Sequence, residues 1–492
     1  MLSNKVLNIL GLILILLGLS MIPSSIISAI YNESDYINIF YASLLTVSAG
    51  LFIYLTTYFY HSKKTKDLPL KDGFVIVSLG WIMMSIFSAF PYYFSIDNFS
   101  FINSFFESMS GLTTTGASVL GNNTVPIESL SHGLLFWRSF THFIGGMGII
   151  VFSIAILPLL GIGGVQLFKA EVAGPSADKI TPRIKQTAKL LWGIYIGFVS
   201  ILSIILYFEG MTYFDAICHS FATVATGGFS NHSDSIKYFN SGLIEWTIII
   251  FMFIAGTNFS LHYMFINKRK FDYMKNEEFR VYLYVFLVIT LSIFLNLSFS
   301  NILSYDFNFD TLRHSTFTTI SLLSTTGFGT ENFNEWPEYS RMIIFLLFFL
   351  GASAGSTTGG LKLIRTILIF KYLFYEMKKL IHPNGVYNIQ IGKKTISDDI
   401  IKNTLGFYLF YIIIFIFSAL IFSFYNMDFI TSLTASASSI GNIGPGLGDI
   451  GPYENWGHLS TVPKLLSCVC MLLGRLEIFT VMILFSRLFW RH

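Results

Sequence analysis

Charge is what this chain of 492 residues has least of: 12% is Asp, Glu, Lys or Arg, against 53% hydrophobic residues and a mean hydropathy of +0.63. So few charges cannot cover a soluble domain of this length, and the chain is read as a polytopic membrane protein. Cysteine is nearly missing as well. Cys218, Cys468 and Cys470 lie in apolar surroundings without metal-type spacing to histidine, so they form no disulfide framework and read as small packing residues. The histidines, among them His132, His142, His219 and His314, make no metal set and read as pore-segment polar contacts or membrane-interface residues. Gly145-Gly-Met-Gly148, Gly161-Ile-Gly-Gly-Val and Gly355 to Lys362 lack the spacing or the strand-loop-helix setting of a nucleotide loop. No polar catalytic set stands inside the apolar spans, so neither an enzyme nor a nucleic-acid partner is expected. No acidic residue deep in a span marks a coupling site.

What is present is one small stretch written four times. Gly111-Leu-Thr-Thr-Thr-Gly116-Ala-Ser118, Val224-Ala-Thr-Gly227-Gly-Phe-Ser230, Ser324-Thr-Thr-Gly327-Phe-Gly329 and Ser439-Ile-Gly-Asn-Ile-Gly444-Pro-Gly446 each run from small polar residues into glycine between long apolar segments. The glycines at 116, 227, 327 and 444 stand 111, 100 and 117 residues apart. A period this long points away from solenoids and toward a pseudo-fourfold ring of membrane units. A dehydrated cation needs several oxygens at once, and main-chain carbonyls supply them without a full negative charge. Glycine tolerates the backbone angles that turn such carbonyls inward. The alternative is four ordinary helix-terminating loops, since Thr, Ser and Gly are common in any turn.

The expected architecture is all-α: two N-terminal transmembrane helices (residues 1–66), then helix, short re-entrant helix and helix repeated over 67–185, 186–275, 276–392 and 393–492. The re-entrant pieces, 101–113, 213–224, 311–323 and 429–438, are too short to span. Irregular backbone at that depth is tolerated only around protein or a water-filled cavity, which a central pore supplies. The total is ten full spans and four half-spans. Lys63, Lys64, Lys66, Lys169, Lys179, Arg183, Lys185, Lys189, Lys268, Arg269, Lys270, Lys275, Lys371, Lys378, Lys379, Arg487 and Arg491 fall on one side of this topology, hence the cytoplasm, with both termini. Asp97, Glu128, Asp234, Glu331, Glu335, Glu338, Asp449 and Glu454 fall outside, where they would funnel cations or simply be solvated loop surface.

The fourfold arrangement and its glycine loops resemble the Trk/Ktr/HKT superfamily of potassium transporters. Trp137-Arg-Ser-Phe-Thr-His-Phe-Ile-Gly-Gly-Met-Gly-Ile-Ile-Val151, Thr181-Pro-Arg-Ile-Lys185 and Leu473-Gly-Arg-Leu-Glu-Ile-Phe479, with the two extra N-terminal spans, look like its bacterial TrkH-type branch. The fourth loop, with Asn442-Ile443-Gly444 in place of a Thr-rich run, is the weakest match. The resemblance implies potassium uptake across a bacterial cytoplasmic membrane, with K+ held at the carbonyls of Thr114, Thr115, Gly116, Ala225, Thr226, Gly227, Thr325, Thr326, Gly327, Asn442, Ile443 and Gly444. It also implies a homodimer and a cytoplasmic TrkA-like regulatory subunit that binds NAD or ATP. In plant members a serine in the first loop goes with sodium permeation, so Gly116 favours potassium. Sodium- or proton-coupled symport stays open. A carrier for an organic solute would favour inverted repeats with paired broken helices, not four repeats of one orientation.

Two further stretches qualify as sites. Gly351-Ala-Ser-Ala-Gly355-Ser356-Thr357-Thr358-Gly359-Gly360 is too rich in glycine and hydroxyls for a comfortable helix, each interior glycine costing about 0.8–1 kcal/mol relative to alanine, and is expected to unwind. The resemblance implies a gating loop below the filter; close helix packing through small residues is the alternative. Arg475 sits in an apolar helix, where a charge costs roughly 2.5–3.5 kcal/mol. It must face a partner on another helix or water, and the resemblance implies a positive barrier beneath the filter.

Overall fold

A computed structural model describes residues 3–59, 70–121, 124–155, 180–269, 271–300, 307–385, 387–392 and 394–490. The basic segment His61–Lys66, the Gly161 glycine run, Lys169 and Lys179 lie outside the described residues. Among the described residues the protein is all-α apart from one two-residue antiparallel pairing, Gln390–Ile391 (β1) with Lys394–Thr395 (β2).

The helices α1 (Asn4–Ile30) and α2 (Tyr36–Phe59) form an antiparallel hairpin. They approach closely because glycines face each other: a Cβ on Gly50 would lie 2.8 Å from the Gly11 carbonyl, and one on Gly11 2.9 Å from that of Gly50. The hairpin is fastened to the next unit by polar contacts at its turn. Glu33 accepts from His132 at 2.7 Å, and Asp35 accepts from Ser28 and Ser131.

A long helix, a short helix, a loop and a second helix then recur four times. The first unit has α3 (Leu70–Ser88) and α4 (Phe90–Ser95), interrupted next to Pro91, then the short α5 (Phe101–Leu112) and α6 (His132–Ala155). The second has α7 (Ile180–Phe208), α8 (Tyr213–Val224), α9 (Gly242–Ala255) and α10 (Phe259–Lys268). The third has α11 (Glu277–Phe299), α12 (Phe309–Leu323), α13 (Glu338–Leu347) and α14 (Leu363–Ile381). The fourth has α15 (Asp398–Phe424), α16 (Phe429–Gly441), α17 (Thr461–Arg475) and α18 (Ile478–Met482), followed by α19 (Arg487–Trp490).

Buried apolar side chains gather into two large clusters. One joins the hairpin with the first and fourth units around Trp137, Phe106 and Trp456, and the other joins the second and third around Tyr195, Tyr282 and Trp336. Outward-facing Phe52, Phe208 and Phe424 stay 70–81% exposed, as expected of side chains that meet lipid.

By length and composition six described helices are suited to cross a membrane, or eight when each bent pair is taken as one span. The other two expected spans are the second helices of the first and third units, α6 and the stretch of α13 and α14. The second helices of the last three units are the irregular part of the fold. The pair α9 and α10 bends by 96° at a break beginning with Gly256, where Asn258 caps the new helix by accepting from the Ser260 amide at 2.8 Å. The pair α17 and α18 bends by 113° after Arg475, with Glu477 at φ 61°. Between α13 and α14 the stretch from Gly351 to Gly360 is not helical, in keeping with its glycine and hydroxyl content.

Candidate functional site

The four short helices share one construction. Each begins at a side-chain cap, Ser100, Thr212, Asn308 or Asp428, that accepts from a backbone amide two or three residues on at 2.8–3.2 Å. Such caps satisfy amides that the first turn leaves free. Each ends on a residue in the left-handed region: Thr114 (φ 50°), Thr226 (φ 55°), Thr325 (φ 54°) and Asn442 (φ 53°). The next amide then closes the helix end, from Thr115 to the Ser110 carbonyl at 2.9 Å, Gly227 to Ala222 at 2.8 Å, Thr326 to Ser321 at 2.8 Å and Ile443 to Ser438 at 3.0 Å. One residue further stands a positive-φ glycine: Gly116, Gly228, Gly327 or Gly444.

This equivalence corrects the register of the second loop. Gly228 (φ 80°) matches Gly116, Gly327 and Gly444, while Gly227 occupies the position of Thr115, Thr326 and Ile443. Of two adjacent glycines, only geometry tells which takes the unusual angle.

The loops close into a ring. A Cβ on Gly116 would strike the carbonyl oxygen of Gly227; on Gly228, that of Thr326; on Gly327, that of Ile443; on Gly444, that of Thr115. Each loop thus lays one glycine against the carbonyl of the next, always in the same sense. All four glycines line a single cavity of about 70 Å³, together with Ser118, Ser230, His232 and Glu454.

Polar contacts hold the ring from behind. Glu107 of α5, fully buried, accepts from the Arg138 guanidinium at 2.6 Å and from the Ser118 hydroxyl and Val119 amide at 2.9 and 3.0 Å. Arg138 also donates to the Ser230 carbonyl at 2.6 Å and lies 3.8 Å over the Phe229 ring, so one ion pair fixes the first loop to the second. Asn442 donates to the Thr115 hydroxyl and the Met471 carbonyl, both at 2.9 Å, and ties the fourth loop to the first.

The stretch Gly351–Gly360 lies against the turned ends of the short helices. The Gly359 amide donates to the Thr325 hydroxyl at 2.7 Å, and a Cβ on Gly359 would fall 2.6 Å from Asn442. Thr357 donates to the Val224 carbonyl at 3.0 Å and faces Thr226 at 3.4 Å. Within the stretch, Gly351 bonds to the Leu361 carbonyl at 2.7 Å, Ser356 reaches the Ser353 carbonyl and Thr358, and Gly360 has φ 66°. The breaks in the other second helices meet it here. Ser353 bonds to the Gly256 carbonyl at 3.1 Å, the Gly355 carbonyl accepts from Phe259 at 3.0 Å, and Glu278 accepts from the Ala354 amide at 2.7 Å. Arg475 donates to the Thr357 carbonyl at 2.7 Å and to Gly145 at 3.3 Å. Beside it a second cavity, about 20 Å³, is lined by Lys362, Arg365, Arg475 and Glu477, with Arg365 paired to Glu477.

The four loops, the stretch Gly351–Gly360 and Arg475 therefore belong to two adjoining assemblies, the ring and the segment packed on it. Sequence reasoning missed Glu107, Arg365, Lys362 and Gly228. A glutamate in the middle of an apolar twelve-residue helix was the signal for the first. Cys218, Cys468 and Cys470 are buried and free, as packing residues should be, and no described His, Cys, Asp and Glu group of three or more is placed to hold a metal.

Residues 46–490 match the TrkH family, described as cation transport proteins. Over 99% of both chains the sequence is 39% identical to the Trk system potassium uptake protein TrkH of Salmonella typhimurium and 38% identical to that of Escherichia coli. The fold superposes on the crystal structure of the potassium transporter TrkH from Vibrio parahaemolyticus with a TM-score of 0.90 at 34% identity, covering 99% of each chain.

Proposed function

The chain belongs to the TrkH family of cation transport proteins, and from this we infer that it takes up potassium across a bacterial cytoplasmic membrane through the ring of loop carbonyls. The observation that carries the reading is the closed cycle of glycine-to-carbonyl contacts around one cavity. Residues 114–116, 226–228, 325–327 and 442–444 form the filter, and Ala225 supports the second loop from its helix end. Their carbonyls replace the water of a potassium ion without a charge that would trap it. The short helices aim their C-terminal ends at the same place, each contributing on the order of 0.3–1 kcal/mol toward a cation. The loop charges support an exterior cavity mouth, with both termini in the cytoplasm. The two N-terminal helices stand outside the ring, and the four units run over 67–185, 186–275, 276–392 and 393–492.

Beneath the filter the segment of Gly351, Gly355, Ser356, Thr357, Thr358, Gly359 and Gly360, with Arg475, acts as the gate. The chain works as a homodimer under a separate cytoplasmic subunit that binds NAD or ATP, docked on basic inner surfaces such as the part of α14 that carries Lys371, Lys378 and Lys379, and carries no enzymatic activity of its own. The test is flux in liposomes holding the purified protein. Gly116→Ser places a side chain at φ 81° against the Gly227 carbonyl, and potassium-over-sodium selectivity should fall. Unchanged selectivity in folded protein would overturn the filter.

A further inference from the structure

The second loop departs from the other three at one position. Thr115, Thr326 and Ile443 carry side chains there, and the two threonines are braced by hydroxyl pairs, Thr113 with Thr115 at 2.8 Å and Ser324 with Thr326 at 2.7 Å. Gly227 has none, and none would fit. The three atoms nearest to a Cβ built on Gly227 all belong to the imidazole of His142, too close for any side chain.

His142 arrives from α6, a helix of the neighbouring unit. It is fully buried and stacks on Phe229 with centroids 4.1 Å apart and planes 18° from parallel. Neither ring nitrogen has a hydrogen-bond partner among the described residues. Two unpaired buried nitrogens are unfavourable, and a residue there only to fill space would be better aliphatic. Nor can α6 draw back or advance freely. A Cβ on Gly146 would lie 2.9 Å from Ala225, and one on Gly145 would strike the Leu112 carbonyl, so the helix is wedged between the first two loops. The imidazole is thereby held directly against the backbone of Gly227, whose carbonyl meets Gly116 in the ring.

We propose that His142 supplies the side chain that the second loop lacks, and that by bearing on Gly227 it positions that carbonyl in the ring and sets cation selectivity. It is a positioning residue that acts through Gly227 and touches no ion. The inference rests on the filter reading above, so Gly116→Ser is measured beside it.

The experiment is the ratio of potassium to sodium flux through the full-length protein in liposomes, with the folded fraction followed by size exclusion. A residue that only stabilises the fold changes total flux and leaves that ratio alone. His142→Ala is expected to lower the ratio about fivefold, equivalent to about 1 kcal/mol, and Gly227→Ala to lower it similarly. The double variant Gly227→Ala with His142→Ala returns the missing volume from the loop's own side, and should recover most of the ratio. If Gly116→Ser alters the ratio while His142→Ala does not, the role of His142 is overturned and the filter stands. If neither alters it, the filter reading fails and takes this inference with it. Where His142→Ala alone does not fold, a folded and selective double variant supports the proposal, and a double variant no better than the single one overturns it.

Discussion

The half of the molecule that holds the ring and the half beneath it come from the same repeated unit but differ in symmetry. In the ring, four left-handed helix ends and four positive-φ glycines coincide position by position, and each short helix opens on a side-chain cap, the third cap standing three residues further from its left-handed end than those of the other units. Beneath it the second helices diverge. α6 runs unbroken to Ala155, one pair bends by 96°, another by 113°, and the third unit has an unwound stretch. An ion that must find oxygens on every side needs the same backbone turn from every unit. A segment of the kind proposed to close one passage is needed once, and its partners come from two of the other breaks, at Gly256 and Arg475, and from Glu278 at the start of α11, all in contact with residues 353–357.

Breaking the support of the symmetric half should have the largest effect. Arg138→Met leaves Glu107 buried without its partner, and removal of one member of a buried pair costs about 3–5 kcal/mol. The expected outcome is a large drop in thermal stability, with much of the loss recovered when Glu107→Gln is added. A single variant as stable as the unaltered protein would mean that the pair does not hold the ring.

The asymmetric half should respond in the opposite direction. Arg475→Ala removes the donor to the Thr357 carbonyl and a positive charge beside the ring. Potassium flux should rise about tenfold, the ratio set by about 1.4 kcal/mol, and deletion of Gly355–Gly359 should raise it further. Folded variants with unchanged or lower flux would count against a gate, and so against the division of labour between the halves.

A smaller change sharpens the comparison. Ser100→Ala and Asp428→Ala each remove one cap and should each cost about 1 kcal/mol, read as a fall in melting temperature. If the ring is energetically as regular as its geometry, the two losses will be close to equal. A loss confined to one unit would show that the symmetry is one of shape alone.

These features were unequally legible in the sequence. The four small-polar runs stood out because glycine and threonine are conspicuous between apolar spans, and the stretch Gly351–Gly360 because no helix absorbs so many glycines and hydroxyls. The register of the second loop was not legible, since Ala225-Thr-Gly-Gly228 offers two glycines of equal conformational freedom. The breaks after Ala255 and Arg475 were hidden for another reason. An isolated glycine within an apolar run is tolerated by a helix and does not by itself mark its end, and nothing in Arg475-Leu-Glu477 announces that a glutamate will take φ 61°. Glu107 and Arg138 were visible as charges in apolar surroundings, but 31 residues apart their pairing belongs to tertiary structure.

The weakest test concerns the rim where the first two loops meet. Glu128 accepts from the Ser233 amide at 2.6 Å and its hydroxyl at 2.7 Å, and so fastens the first loop to the second on the side of the cavity mouth. Partial burial pushes its carboxyl upward, but the hydrogen bonds from Ser233 outweigh this and leave it below the usual glutamate value. A carboxylate depressed on folding stabilises above its unfolded pKa, and that contribution is lost as pH falls through the folded one. The group is largely exposed, so solvent screening limits the effect to about a few tenths of a kcal/mol. Glu128→Gln should therefore melt slightly below the unaltered protein at about pH 6, and the gap should close once the pH has fallen below the depressed folded value, where both carry a neutral side chain. A gap that is the same at both values would mean that the carboxylate charge does not join these loops, leaving the contacts behind the ring to hold the first two units together.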